Sequence, residues 1–494
     1  MHRAINFFNT EVLSICKVVP LILIFVYANT LFAQTFEKIY RTNDDDCSYE
    51  AIEVSNEYFI AVNTGNYYNF NYQGKILKVN KYGKILDSLY IPIHNGFISS
   101  DIWKLINISD TLFLCIAIER NSSGNLFMQY VHFTKDLLIT FDTVINDAPN
   151  LSYLDFSVND DFQIVSVGYI TEYQEQFIKI CDIYGNLIGY KTYIGEYGPL
   201  ASTIIDIPKR NKYHMFIYLS NESCFFEIDK ETLSLDTILH YPDYFWPRNA
   251  IKGINDSSYY IIGTQNVLLN NGIRKLSFIE MSIYGDTIKQ NSYLVSPDTN
   301  SFYFYNSFSI YNEKIYFGGT YNFTLTPQFP FLNEYRWIFI NKLNPDGSII
   351  WQRFYKGDAN YVPYKVLATT DGGALILSTK YDWNDPVPYQ RDLHILKVDS
   401  TGWYDELTTT DTEHGMPKQI LVYPNPAKDN VTFVTGFYNN LELSINNLQG
   451  EPVLKQKLPY TQTIDISALP KGLYVYIITG KNGFIEKGKL SIAH

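Results

Sequence analysis

The chain has 494 residues, 16% of them aromatic and only 18% charged, with 28 Gly and 20 Pro, a mixture that suits strands joined by turns rather than helices. At roughly 100 to 200 residues per domain, this length implies several domains, or one large repeat with a smaller unit beside it. A net charge of −12 argues against DNA or RNA as the main partner, because nucleic acid binding needs a basic patch.

Arg3 and Lys17 precede a mostly apolar run from Val18 to Phe32 that is closed by Ala33. The run is about 15 residues, shorter than the roughly 20 that a bilayer span requires, so residues 1–33 read as a secretory signal peptide and the mature chain is expected to be soluble. Four cysteines remain after it, Cys47, Cys115, Cys181 and Cys224, far apart and without a C-x-x-C spacing. That excludes a sequence-encoded zinc or thioredoxin-like site. Cys115 lies within Leu112–Ile116, apolar on both faces, and is expected to be a buried free thiol; an exported chain leaves the pairing of the four open.

Residues 34–407 read as a repeat at strand period. The clearest copies join an apolar strand to Asp, Asn or Ser, two residues, Gly and a second strand: Asn80 with Gly83, Asp182 with Gly185, Ser282 with Gly285, Asn344 with Gly347, and Asp399 with Gly402. Degenerate copies follow Tyr130–Phe133 and Phe225–Ile228, which makes seven. A second series of hairpins turns at Asn56, Asp110, Asp160, Asn211, Asp256, Asn312 and Asp371, and the copy Thr370–Leu377 resembles the hairpin of secreted bacterial β-propeller repeats. Four strands per unit at roughly 54 residues predict an all-β, seven-bladed β-propeller, with six or eight blades as neighbouring solutions. The last copy lacks an outer strand after Gly402, while Phe36–Arg41 matches the outer strand Trp351–Lys356 by residue type. The N-terminal segment is therefore expected to complete the last blade and remove an exposed edge.

Residues 408–417 turn polar and irregular and read as a linker, after which short alternating strands over 418–494 predict a small Ig-like β-sandwich. Tyr423, Pro424, Asn425, Pro426 and Ala427 open it, Asn447–Gly450 lie in its middle, and Leu469–Tyr474 with Gly472 lead to Lys487 and the last strand. In this order the motifs resemble the type A C-terminal sorting domain of the type IX secretion system of Bacteroidetes. The resemblance implies recognition by an outer-membrane translocon, removal by a cysteine-protease sortase, and release or attachment at the cell surface. It makes Tyr423 to Ala427, Gly450, Gly472, Tyr474 and Lys487 the sorting residues, with Gly450 and Gly472 expected in tight turns.

Sequence motifs for catalysis are missing: no G-x-S-x-G, H-E-x-x-H, phosphate loop or dinucleotide glycine pattern occurs. The expectation is a binding or interaction module rather than an enzyme, with a polysaccharide hydrolase or lyase on a propeller scaffold as the alternative. No cofactor is expected, and Ca²⁺ is the one candidate cation. The segments linking successive blades carry Asp44, Asp45, Asp46, Asp101, Asp147, Glu196, Asp243, Asp298 and Asp358, an acidic rim able to hold a cation or, on the plainer reading, solvated turn residues. Two loop clusters, Tyr67, Tyr68, Phe70 and Tyr72, and Tyr241, Tyr244, Phe245 and Trp246, offer stacking surfaces for a glycan or protein ligand, or packing between blades. Asp87-Ser88, Asp142-Thr143, Asp236-Thr237 and Asp286-Thr287 resemble a short O-glycosylation signal of exported proteins and equally fit a strand-edge repeat.

Overall fold

The computed structural model describes residues 35–493 except 70, 146–150, 171–174, 194–202, 220–221, 242–244, 268–272, 294–300, 303–306, 323–330, 386, 388, 405–419, 436–440, 459–461 and 481–482. The signal peptide, the linker and Asp147, Glu196, Asp243 and Asp298 lie outside the described residues. One short 3-10 turn, Pro208–Arg210, is the only helical element among those described. No helix among them is long and apolar enough to cross a membrane.

Consecutive antiparallel four-stranded sheets make up the body, in a propeller-like order. Leu151–Val158, Ile164–Ile170, Glu175–Cys181 and Leu187–Tyr193 form one such meander. Others run from Thr203–Ile207 to Leu235–Tyr241 and from Phe245–Lys252 to Thr287–Tyr293, and a five-stranded sheet runs from Ser301–Phe302 to Ile349–Tyr355, in which Ser301–Phe302 and Phe308–Tyr311 both pair with Lys314–Tyr321. A nine-stranded sheet from Asp45–Cys47 to Ile139–Ile145 consists of two meanders joined by a single parallel bridge between Gln73 and Ser100. Apolar side chains alternate toward the faces where neighbouring sheets meet, giving separate buried clusters such as Phe59, Phe113 and Phe133, or Phe317, Phe339 and Phe354. Burial on both faces explains the near-continuous apolar runs of the middle strands.

The repeated hairpins owe their shape to local chemistry. In all five clear copies the glycine N–H donates to the carbonyl of the Asp, Asn or Ser three residues earlier, at 2.9 to 3.1 Å. These glycines have φ between +75° and +88°, a region where a Cβ costs about 1–2 kcal/mol. The side chains of Asn80, Asp182, Ser282 and Asp399 accept the next free N–H groups. Both degenerate copies manage without glycine, placing the buried Leu137 and Leu233 at φ +60° and +52°.

The last sheet has the order Phe36–Tyr40, Asp392–Val398, Ala374–Tyr381, Asn360–Ala368, so the N-terminal strand is its outer strand, as the residue match predicts. Glycine contacts support the same arrangement independently. A Cβ on Gly185 would meet Ile145, and one on Gly402 would meet Trp351, in each case the outer strand of the preceding sheet. On Gly83 it would meet Phe36 at 2.6 Å. Phe36–Tyr40 thus stands toward the first meander as any outer strand stands toward the next.

Residues 420–492 form a three-stranded sheet, Leu421–Tyr423, Asn430–Val434 and Gln462–Asp465, facing a four-stranded one in the order Pro452–Leu458, Leu441–Asn446, Gly472–Gly480, Gly483–Ile492. Val422, Phe433, Tyr476 and Leu490 fill the space between them. Leu421 and Val434 point the other way and join the cluster of Phe317, Phe339 and Phe354, while the Tyr423 ring lies 5.2 Å from that of Trp337 and its hydroxyl 3.1 Å from that of Tyr321.

Candidate functional site

In an antiparallel meander, the loop between the second and third strands and the connection leading to the next sheet emerge at the same end. Three second-to-third-strand loops, from the first, sixth and last sheets in chain order, bring Tyr67 and Tyr68, Phe331 and Tyr335, and Tyr381 to Arg391 to that end. Phe331 is the buried floor, 5.1 Å from Tyr67, 6.0 Å from Tyr68 in a stacked pose, and 5.2 and 5.5 Å from Tyr381 and Tyr389. Tyr68 and Tyr389 touch edge to face and remain 59% and 55% exposed, so the crown presents ring faces to solvent. Tyr335 pairs with Trp383 beside it.

A buried ion pair holds this crown from beneath. Arg391 donates to both carboxylate oxygens of Asp45, at 2.7 and 2.5 Å, and its guanidinium lies 5.1 Å from the centre of the Tyr67 ring. Burial works against the Arg391 charge, but Asp45 keeps its pKa well above the ordinary value. Tyr72 donates to the same carboxylate. Asp45 is therefore a support of the platform and not an open rim ligand, a correction to the reading of the linking segments.

The other rim carboxylates divide. Asp46 accepts from Thr42 N at 2.7 Å and Thr64 Oγ1 at 2.6 Å, and burial lifts its carboxyl to about 6. Asp101 is an inner-strand residue rather than a rim residue, lifted to about 7 by burial, with one oxygen lacking a hydrogen-bond partner among the described residues. Asp358 pairs with Lys380 at 3.5 Å. Asp44 stays exposed. Among the described residues no three His, Cys, Asp or Glu side chains come together as a metal site.

Adjacent to the crown, a cavity of about 250 Å³ is lined by Tyr40, Thr42, Asp44, Thr64, Gly65, Asn66, Asn71, Gln73, Lys75 and Tyr90. It shares the loop after Gly65 with the crown, and Tyr40 reaches it from the N-terminal strand, so the cavity exists only because that strand has paired. Gln390 ties the two regions together through the carbonyls of Thr42 and Asp44. A smaller cavity of about 110 Å³ at the opposite end is bordered by Lys209 paired with Asp256 and Lys252 paired with Asp160.

Two polar groupings look chemical and lie buried in the body. Ser378 Oγ lies 2.8 Å from His394 Nδ1 and His394 Nε2 lies 2.9 Å from Glu37 Oε1, the connectivity of a nucleophile, a base and its orienting acid. Ser378 and His394 are both fully buried, and the network joins three adjacent strands of the last sheet. The other is a belt of charge on the inner strands: Glu50 pairs with Lys365, and with Lys104 at 3.3 Å, while Asp155 accepts from Thr203. Burial opposes the Glu50 charge, and Lys365 and Lys104 hold its carboxyl below the ordinary value.

Of the second aromatic cluster, Tyr241, Phe245 and Trp246 lie in strands flanking residues 242–244, and Tyr244 lies outside the described residues. Phe70 also lies outside the described residues. The four Asp-Ser or Asp-Thr pairs fall early in the outer strands Ile85–Tyr90, Ile139–Ile145 and Leu235–Tyr241 and at the start of Thr287–Tyr293. All four cysteines are buried free thiols, as expected for Cys115.

The sorting residues are stitched into the C-terminal sheets. Asn425 donates to Lys489 O and accepts from Ser491 N, and Ala427 exchanges backbone bonds with the end of the last strand. Gly450 takes φ +84° in the Asn447 turn. Gly472, by contrast, opens the strand Gly472–Gly480, and a Cβ there would make only ordinary contact with Tyr474, so the expected tight turn is absent. Tyr474 donates to Pro470 O at 2.7 Å, and Lys487 is exposed.

No curated protein matches the sequence. Among solved structures, the chain is similar to the β-propeller domain of the trilobed protease from Pyrococcus furiosus, with an open velcro topology, at 11% identity and TM-score 0.41, covering 75% of this chain and 98% of that one. It is also similar to the Dos1 propeller at 9% identity and TM-score 0.43, over 76% and 95% of the two chains. The polysaccharide lyase Uly1 gives 10% identity and TM-score 0.43, over 75% and 100%. Residues 421–492 match the family described as the secretion system C-terminal sorting domain, and this chain therefore carries a type IX sorting domain that directs it to the cell surface or the extracellular space.

Proposed function

We propose that the protein is an exported glycan-binding module whose body is a seven-bladed propeller closed by Phe36–Tyr40. The observation that carries this reading is the crown: exposed Tyr68 and Tyr389 rings around Phe331, beside a polar cavity, on an end of the sheets where loops converge. Flat exposed rings stack on the apolar faces of sugars, and convergent amides and hydroxyls read their hydroxyl groups. Binding rather than turnover is proposed because the described residues of the cavity include no paired carboxylates: Asp44 is the only acid among them. No cofactor is required on this reading, and the melting temperature is expected to be the same in EDTA and in millimolar Ca²⁺ at constant ionic strength.

The test is titration of an oligosaccharide panel into the mature protein by calorimetry, with product analysis of the same mixtures. Retention without new reducing ends or unsaturated products is expected, with Tyr68→Ala and Tyr389→Ala each weakening binding about tenfold. Chain cleavage would replace this reading with a polysaccharide-degrading one, and unchanged affinity in both variants would remove the crown from the site.

A further inference from the structure

We infer that the cavity beside the crown selects an acidic sugar residue, one bearing a carboxylate or a sulfate ester, with Lys75 as the group that reads its charge. The inference rests on the glycan-binding reading above and goes beyond it to the ligand class.

Lys75 is held upright between two tyrosines. Its Nζ lies 3.4 Å from the Tyr40 hydroxyl and 3.3 Å from the Tyr90 hydroxyl, and 4.6 Å from the centre of the Tyr90 ring. An ammonium has three donors, and two long bonds to neutral phenols leave one donor and the whole charge uncompensated. Among the described residues no carboxylate lies within ion-pair distance of it. In a chain of net charge −12, most buried or half-buried lysines of the body have an acid, as Lys104, Lys365 and Lys397 do, so a lone cation facing a cavity is an exception.

The neighbouring amides add donors. Asn71 Oδ1 accepts from Asn66 N at 2.9 Å, and Asn66 Oδ1 accepts from Tyr68 N and Asn69 N at 3.0 and 3.1 Å. Both carboxamide oxygens are thereby used by the backbone, and the two NH2 groups remain for a ligand. The wall also holds one acid, the exposed Asp44, so the part that suits a ligand rich in acceptors and negatively charged is the side with the Lys75 ammonium and the two amide donors. Its volume of about 250 Å³ admits one sugar ring, and Tyr90, 60% exposed, offers a face for that ring. The loop carrying Asn66 and Asn71 also carries Tyr67 and Tyr68, so a chain with its acidic residue in the cavity would continue across the crown.

The experiment compares neutral, carboxylated and sulfated oligosaccharides of equal length binding to the mature protein at low and high salt, with Lys75→Met, Lys75→Gln and Tyr68→Ala. Expected are at least tenfold tighter binding of one acidic class than of neutral chains, weakening with salt, and loss of that preference in both Lys75 variants. Thermal melts of the variants verify that they are folded, and the two acidic arms separate carboxylate from sulfate. Equal affinity for acidic and neutral chains, or a preference that survives both Lys75 variants, overturns the inference while leaving the binding face intact if Tyr68→Ala still weakens binding. Absence of any saccharide binding overturns both.

Discussion

Asp101 is a carboxylate buried on an inner strand against its charge, and it makes the pH dependence of stability testable. Its carboxyl is raised by burial from 3.8 to about 7, so the folded state binds a proton that the unfolded chain has lost. This group's favourable contribution is therefore complete below about pH 4 and disappears as pH rises to about 7. Asp101→Asn should melt a few degrees above the parent at pH 8 and together with it near pH 4, and equal melting at both pH values would refute the assignment. Glu37 titrates in the opposite sense: burial opposes its charge, but the hydrogen bond from His394 and the pairing with Lys356 hold it at about 2. Its contribution is present above about pH 4.5 and is lost as pH falls toward 2, so Glu37→Gln should destabilise at pH 7, with the gap narrowing on acidification. The glycines of the sorting domain separate in the same way. Gly450→Ala meets a strained φ of +84° and should lower the melting temperature of the isolated C-terminal sheets by a few degrees, whereas Gly472→Ala should leave it unchanged.

At the scale of the element, the strands were legible and the sites between them were not. Period-two alternation and the turn residues marked nearly every hairpin, because a glycine or Asn at positive φ leaves a local signature. Short alternating strands over 420–492 were legible for the same reason. Even the swap of Phe36–Tyr40 into the last sheet could be read, from a missing outer strand and a matching one elsewhere. The crown could not, since Tyr68, Phe331 and Tyr389 are far apart in sequence and meet only when the first, sixth and last sheets are neighbours. One signal was present: each lies in the loop before the third strand of its unit. Charged belt residues had a similar marker, Glu50, Lys104 and Lys365 each standing six positions before a turn residue, Asn56, Asp110 and Asp371. The rim was misread because Asp favours linking segments whether or not it is free, and only coordinates reveal that Asp45 faces Arg391. Deleting Phe36–Arg41 should lower the melting temperature by ten degrees or more, since it uncovers the Asp392–Val398 edge, strands the buried His394 and Lys356 without Glu37, and opens the cavity beside Lys75. An unchanged melting temperature would mean that this strand contributes nothing to closure.

The whole molecule joins a body and an address that meet at one apolar contact. Removing residues 418–494 should leave the body folded but retained in the periplasm, measured by fractionation and surface labelling; normal surface display of the truncated chain would contradict the sorting assignment. Because Tyr423 and Leu421 cover Trp337 and Phe354, the same truncation should red-shift tryptophan emission and increase binding of an apolar dye.

The pairing of Glu37 with His394 spans 357 residues, and this separation acts as a clock. A ribosome adding about 5–20 residues per second makes the latch tens of seconds before it makes the catch. During that interval Phe36–Tyr40 has no sheet to join. Any chain that stops short, through premature termination or proteolysis before Asp392–Val398, lacks the strand that Phe36–Tyr40 pairs with and leaves Ala374–Tyr381 with a bare edge. The last sheet is thus assembled from the two ends of the body, and the cavity walled in part by Tyr40 depends on both.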